Sequence, residues 1–267
     1  MDEPDILMTN DDGIEATGLR ALRISLASVG DVTVVAPADD QSAVGRALSG
    51  SVTVRERDLG YEIDGTPADC VVVGLEALAP GTDLVVAGCN RGANIGAYNL
   101  GRSGTVSAAV EATFFGVPAL AVSLYVPVAE NTAYDDVDVD ADRYAEAVRT
   151  ARYLAAHTLG AGVFDQADYL NVNAPVAGRA TGEMSVTRPS RVHEMDAFRE
   201  GETVSLVDNI WGMMARGEVP DPEGTDRRAV VEGRVSVSPL TAPHTTEHHE
   251  ALDGLVEAYP SDSREDP

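Results

Sequence analysis

Hydrophobic periodicity switches between strand and helix repeatedly over the first 125 residues, and few folds accept that alternation. Asp5-Ile6-Leu7-Met8-Thr9 reads as a buried strand, and Leu19, Leu22 and Leu26 follow at helical spacing. Asp31 to Ala36 is a second strand, ended by Pro37. Val52 and Val54 alternate with polar residues before Tyr61-Glu62-Ile63, which predicts a β-hairpin turning at Gly60. Thr66-Pro67 reads as a helix cap with proline in the first turn, leading into Val71 to Leu78. Asp83 to Gly88 is a third parallel strand, Ser103 caps a helix with the stripe Val106, Ala109, Val110, Thr113 and Phe114, and Pro118 to Ser123 is the next strand. Unbroken apolar strands separated by helices predict an α/β fold: a Rossmann-like open, mostly parallel sheet with helices on both faces.

Further along the pattern loosens. Val128 to Asp142 is acidic and reads as an exposed loop; its aspartates would suit calcium, but the glycine and closing glutamate of an EF-hand are missing. Tyr144, Ala147, Val148, Ala151, Leu154 and Ala155 share one helix face, and Tyr169 to Val172 is another buried strand. Met184 to Ser238 reads as short strands with long connections, and Glu247 to Tyr259 as a terminal amphipathic helix showing Ala251, Leu252, Leu255 and Val256. These features divide the chain into a core over residues 1–180 and a C-terminal β-hairpin and helix extension over 181–267. The extension lacks a surface of its own to pack on, which predicts packing on a neighbouring subunit as a homodimer or homotetramer.

Charge narrows the partners. Acidic side chains number 44 against 19 basic ones, every basic one is Arg, and the formal net charge is −25. Such a surface repels itself in dilute buffer, while molar salt shortens the Debye length to about 3 Å, so the composition reads as salt adaptation. With 44% hydrophobic residues the chain is not a disordered acidic one. No basic stripe exists to neutralise phosphates along a duplex, which argues against stable nucleic-acid binding. The N-terminus lacks the positive and apolar regions of a signal peptide and no apolar run approaches a membrane span, so a cytoplasmic protein without membrane contact is expected. Cys70 and Cys89 form neither a disulfide framework nor a metal doublet and read as small core residues.

Three polar segments follow three of the predicted parallel strands, the place where open sheets bind ligands. Thr9-Asn10-Asp11-Asp12-Gly13 carries adjacent carboxylates, which repel each other unless a cation intervenes. Ala36-Pro37-Ala38-Asp39-Asp40-Gln41-Ser42 offers a hydroxyl at Ser42 and further acids. The loop from Gly88 to Gly96 is glycine-rich without the spacing of a dinucleotide fingerprint, and its Asn90 and Asn94 supply amide oxygens for a cation and amide donors for an anion. Arg102-Ser103-Gly104-Thr105 then places hydroxyls and free N–H groups at a helix start, a geometry that favours phosphate. Oxygen donors from Asp11, Asp12, Ser42 and Asn90 suit Mg²⁺ or Mn²⁺ rather than zinc. His157, His193, His244, His248 and His249 gather into no competing site, and no G-x-S-x-G elbow of a serine hydrolase occurs.

Taken in order, these segments resemble the SurE-type survival proteins, metal-dependent phosphatases of nucleoside monophosphates. The resemblance rests on Ile6 to Ile14, Ala36-Pro37 with Ser42, Gly65 to Val71, Gly88 to Gly96, Ser103 to Val106, Leu170-Asn171-Val172-Asn173 and Val235 to Leu240. It covers about residues 5 to 240, with Ala87, Cys89 and Arg102 departing from the usual residues. It implies Asp11, Asp12, Ser42 and Asn90 around one divalent cation and Asn94, Ser103, Gly104 and Thr105 around the phosphate. It also implies catalysis centred on Asp11 and Asp12, hydrolysis of nucleoside 5′- or 3′-monophosphates, and an exchanged oligomer. A non-catalytic nucleotide- or phosphate-binding module is the alternative from another class. A metal-dependent deacetylase is disfavoured because those enzymes add histidine ligands, and a haloacid-dehalogenase-like phosphatase because residues 10 to 12 are not Asp-x-Asp.

Overall fold

The computed structural model describes residues 3–127, 139–242, 253, 255 and 256. A nine-stranded sheet runs through it. Its first five strands are β1 (Asp5–Thr9), β2 (Asp31–Pro37), β3 (Val54–Arg57), β4 (Gly60–Ile63) and β5 (Leu84–Arg91). β6 (Ala119–Tyr125), β7 (Tyr169–Pro175), β8 (Met184–Val186) and β11 (Val235–Leu240) complete it in the order β3-β4-β2-β1-β5-β6-β7-β11-β8. Pairing from β4 through β7 is parallel, β3 is antiparallel to β4, and β11 is antiparallel to β7. A separate two-stranded hairpin is made by β9 (Met195–Glu200) and β10 (Thr203–Asp208).

Strand side chains alternate between two cores. Ile6 and Met8 pack with Leu19, Leu22 and Leu26 of α1 (Thr17–Leu26) and with Ala147, Ala151 and Leu154 of α5 (Ala145–His157). Leu7, Val35 and Val85 point the other way, onto Cys70 and Val71 of α2 (Pro67–Val73) and Val106, Ala109 and Ala112 of α4 (Gly104–Phe114). Helices therefore cover both faces, as the alternation predicts. Thr66 begins α2 with a capping box: its hydroxyl accepts from the Asp69 N–H at 3.1 Å, and Asp69 accepts from the Thr66 N–H at 2.9 Å.

Several local expectations change. The hairpin turn is at Asp58-Leu59, and Gly60 opens β4 against Val34, where a Cβ would lie 2.4 Å from the Val34 carbonyl oxygen. α4 is buried nearly all round rather than along one stripe, because Ser107, Ala108, Ala109 and Ala112 are small enough to pass between sheet and α2. Phe114 is 51% exposed at its end, beneath the Arg46 guanidinium. Two helices occupy the stretch read as strands and connections, α6 (Asn209–Arg216) and α7 (Asp226–Val231). Beyond residue 180, β8 and β11 join the main sheet, while the β9–β10 hairpin does not. Most of the acidic loop, with its calcium alternative, and most of the terminal helix lie outside the described residues; Leu255 and Val256 are helical and exposed.

Candidate functional site

Sheet order reverses around β1, with β2 on one side and β5 on the other, and the polar segments meet at the carboxyl ends of these strands. As β1 ends, Asn10 Nδ2 donates to the Gly13 carbonyl at 2.8 Å and closes a turn that sets Asp11 and Asp12 side by side. Asp11 is 4% exposed. Its Oδ1 accepts from the Thr105 hydroxyl at 2.5 Å, and the Thr105 backbone N–H also donates to the carboxylate. Asp12 Oδ2 accepts from the Arg91 N–H at 2.8 Å, which ties it to β5 beside Asn90.

Gly104 makes the seat of Asp11 available. A Cβ there would lie 2.8 Å from both Asp11 Cβ and Oδ2, so the first residue of α4 has room for the carboxylate only without a side chain. Asp11 thereby sits at a helix N-terminus, where unpaired N–H groups and the helix dipole favour negative charge. Burial still pushes its pKa above the ordinary carboxylate value, against the Thr105 bonds. Burial likewise pushes Asp12 up to about 7, helped by the charges of Asp11 and Asp40. Buried neighbouring carboxylates of this kind want a proton or a cation.

The loop after β2 crosses the pair. Gln41 donates its N–H to the Asp11 carbonyl at 2.7 Å, and the next residue, Ser42, is exposed with its N–H on Asp40 Oδ1 at 2.7 Å. Further on, the Ser49 N–H and hydroxyl hold Asp69 at 2.8 and 2.7 Å, and the Gly45 N–H donates to the Arg102 carbonyl at 3.1 Å. Asn90 lies near the end of β5, past a register shift that includes a cis Gly88–Cys89 peptide; its Nδ2 donates to the Gly92 carbonyl at 2.6 Å, which leaves Oδ1 as its acceptor. Asp11 and Asp12 follow the end of β1, Asn90 lies near the end of the neighbouring β5, and Ser42 follows the residue bonded to the Asp11 carbonyl; all four offer hard oxygen. Among the described residues no group of three or more His, Cys, Asp or Glu is placed to hold a metal, so a cation here would need the serine and asparagine oxygens as well. Cys89 next door is a buried thiol whose pKa burial drives far up, unsuited to ligation. His157 bonds the Tyr153 carbonyl and His193 stacks on Tyr98, and among the described residues neither belongs to a group of three or more His, Cys, Asp or Glu placed to hold a metal.

On the anion side, Ser103 caps α4 by accepting from the Val106 N–H at 3.0 Å, which leaves its hydroxyl proton to donate outward. The Gly104 N–H has no partner among the described residues. The Thr105 hydroxyl donates to Asp11 instead of facing an anion, so Thr105 orients the carboxylate. Asn94 is gripped from the sheet: its N–H donates to Asn173 Oδ1 at 2.8 Å, and its carbonyl accepts from Asn171 and Asn173 at 2.8 and 3.1 Å. Its amide meets the Ser123 hydroxyl at 2.9 Å. A hydroxyl can donate or accept, so that contact fits either turn of the Asn94 amide, one of which points NH₂ into the crevice.

A sequence-family comparison decides the lineage: the family described as Survival protein SurE matches residues 6–196. The chain belongs to the SurE family. It is 67% identical to the 5′-nucleotidase SurE of Haloarcula marismortui over 98% of this chain and 97% of that one. It is 61% identical to the 5′-nucleotidase SurE of Haloquadratum walsbyi over 95% and 96%. Both sources are halophilic archaea, in keeping with the acidic surface. The crystal structure of the SurE protein from Aquifex aeolicus matches with a TM-score of 0.76 and 30% identity, covering 95% of this chain and all of that one.

In this SurE chain, residue-by-residue reading overlooked Ser123, Asn171 and Asn173 as supports of Asn94. The signal for two of them was asparagine at alternate positions in an otherwise apolar strand, side chains that a buried strand carries only when it has partners for them. Asp226 and Arg227, which lie under the same loop, gave no comparable signal.

Proposed function

We propose that the chain is a metal-dependent phosphomonoesterase that hydrolyses nucleoside 5′- or 3′-monophosphates to nucleoside and phosphate, with one Mg²⁺ or Mn²⁺ per chain. The observation that carries this reading is the seat of Asp11 against Gly104 and Thr105, which joins a hard-oxygen cation site directly to a helix start suited to phosphate. Asp11, Asp12, Ser42 and Asn90 are its metal ligands. A bound cation supplies Lewis acidity toward a phosphate oxygen and lowers the pKa of water.

The chain's own residues do the rest. Asn94, held by Ser123, Asn171 and Asn173, presents its amide; Ser103 presents its hydroxyl, and Gly104 its N–H, to the phosphoryl oxygens. Thr105 fixes Asp11 in one rotamer by donating to Oδ1. These groups stand on strand ends and a helix cap, so the phosphoryl group is positioned before reaction, as in-line displacement requires. Asp12 is held toward β5 and Asn90 by the Arg91 N–H at 2.8 Å.

Two further readings go with this function. The β9–β10 hairpin, outside the main sheet with Phe198 60% and Leu206 73% exposed, supports assembly as a homodimer or homotetramer. Cys70 and Cys89, free and buried, accord with a reducing compartment such as the cytoplasm. Among the described residues no helix is long and apolar enough to cross a membrane.

Phosphate release from a panel of nucleoside monophosphates in molar salt, with Mn²⁺, Mg²⁺ or chelator, tests the activity. Metal-dependent release that chelation abolishes is expected. Folded protein that releases nothing with either metal, yet melts higher with nucleotide, would be a binding module instead. Light scattering in molar salt that gave a monomer would refute the assembly.

A further inference from the structure

We propose that the exposed stack of Arg102, Tyr98 and His193 is the platform on which the base of the nucleoside monophosphate lies. This deepens the phosphomonoesterase reading and rests on it. Tyr98 stands on α3 (Ala97–Leu100), a single helical turn that begins three residues after Asn94 and ends three residues before Ser103, the two side chains offered to the phosphate. The Arg102 guanidinium carbon lies 3.9 Å from the Tyr98 ring centroid. The His193 ring lies 5.3 Å from it with planes 9° apart. The Arg102 guanidinium and the His193 ring, from two segments far apart in sequence, therefore both lie against Tyr98, in a chain where only 5% of residues are aromatic.

The platform rests on a rigid base. Asp226, fully buried at the start of α7, accepts from the Gly96 N–H at 2.7 Å and from the Ser190 N–H at 2.9 Å, bridging the segment before Tyr98 to the segment before His193. The Ala97 N–H donates to the Ser190 carbonyl at 2.7 Å. Arg227, 1% exposed and paired with buried Asp221 at 3.4 Å, donates from Nη2 to the Val192 carbonyl at 2.7 Å. Its guanidinium also lies against Gly96, where a Cβ would come within 2.3 Å of Nη2. Buried groups thus lock residues 190–193 onto residues 95–98, and the lock brings His193 to Tyr98.

The chemistry that fits is a planar π system attached to an anion. Bases stack on aromatic rings and on guanidinium planes without regard to their hydrogen-bonding edges. Arg102, next to Ser103, adds a local positive charge that a phosphate ester meets on entry into an otherwise acidic protein. A sugar phosphate without a base has nothing to place on the stack.

The test compares phosphate release from adenosine 5′-monophosphate and ribose 5-phosphate, which share the sugar ester and differ in the base, with Mn²⁺ in molar salt. The wild type is expected to show the lower KM for the nucleotide. Tyr98→Ala and, separately, His193→Ala raise that KM by about 5- to 100-fold, the scale of a lost base–aromatic stack, and leave ribose 5-phosphate kinetics unchanged. Tyr98→Phe keeps the preference, because stacking does not need the hydroxyl. Equal KM values in the wild type, or variants that shift both substrates together or neither, would overturn the platform. If the wild type releases phosphate from neither ester, the phosphomonoesterase reading fails by itself and the platform is judged on binding. A melting-temperature rise with the nucleotide over ribose 5-phosphate that Tyr98→Ala removes then supports it, and equal rises overturn it.

Discussion

Replacing Gly104 with alanine separates two opposed expectations. Helix propensity alone favours the change, since glycine inside a helix is worse than alanine by about 0.5–1 kcal/mol. The structure reverses the sign. The new Cβ would lie 2.8 Å from Asp11 Cβ and Oδ2 and 3.2 Å from its Cγ, and ordinary contact needs Asp11 to retreat by about 0.6 Å. Asp11 has little freedom to retreat, being buried and bonded to Thr105 at 2.5 Å. Overpacking of this kind costs about 1–3 kcal/mol, which outweighs the propensity gain and leaves a net loss on the order of 1 kcal/mol. Misplacement of a catalytic group by about 1 Å costs on the order of 100-fold in rate. Turnover is therefore expected to fall by about 10- to 100-fold while the chain stays folded. Phosphate release at saturating metal, read beside the melting temperature of the same preparation, gives both numbers. A variant as active as the wild type, or more stable than it, would refute the contact between Asp11 and the start of α4.

Other perturbations probe other parts of the account. Asn173→Ala leaves the Asn94 N–H unpaired and removes a donor to its carbonyl, so stability should fall by about 1–3 kcal/mol and turnover by about tenfold; unchanged KM and kcat would remove Asn173 from the support of Asn94. Arg227→Ala strands buried Asp221 and should cost about 3–5 kcal/mol in denaturant unfolding, a figure that a loss under about 1 kcal/mol would contradict. Asp69 gives a pH test: burial works to raise its pKa, but bonds from Ser49 and Thr66 outweigh burial and hold it below the ordinary value. A depressed folded-state pKa stabilises above the unfolded value near 3.9 and loses that contribution as pH falls through the folded value. The wild type should therefore exceed Asp69→Asn by about 1 kcal/mol at neutral pH, and the gap should close below about pH 4. A gap that stays constant into acid would show that ionisation of Asp69 is not its source.

The parallel sheet was legible because its strands are unbroken apolar runs separated by helices with clear caps, such as Thr66-Pro67 and Ser103. The positions of Asp11, Asp12 and Asn90 at the carboxyl ends of neighbouring strands, and of Asn94 in the loop after β5, were legible because unbroken apolar runs precede them. Period could not reveal α6 and α7, which have 8 and 6 residues and complete too few turns to show a stripe. The Asp208 cap and Gly217 past the end of α6 were the readable marks. The direction of the Thr105 hydroxyl was also hidden, because a helix-start hydroxyl can serve an anion or a neighbouring carboxylate and only the approach of β1 to α4 decides between them. Asp226 escaped for the same cause: its partners, Gly96 and Ser190, are 130 and 36 residues away.

The proposed phosphomonoesterase activity requires Asp11 to hold the cation on which phosphate release depends. Asp11→Asn keeps the size of the side chain and removes its charge, so Mn²⁺ binding and phosphate release from adenosine 5′-monophosphate should be followed in one titration of wild type and variant in molar salt. Weakened Mn²⁺ binding and no turnover at saturating metal, with the melting transition preserved, is the result predicted. Substantial turnover by the variant at saturating metal would contradict it.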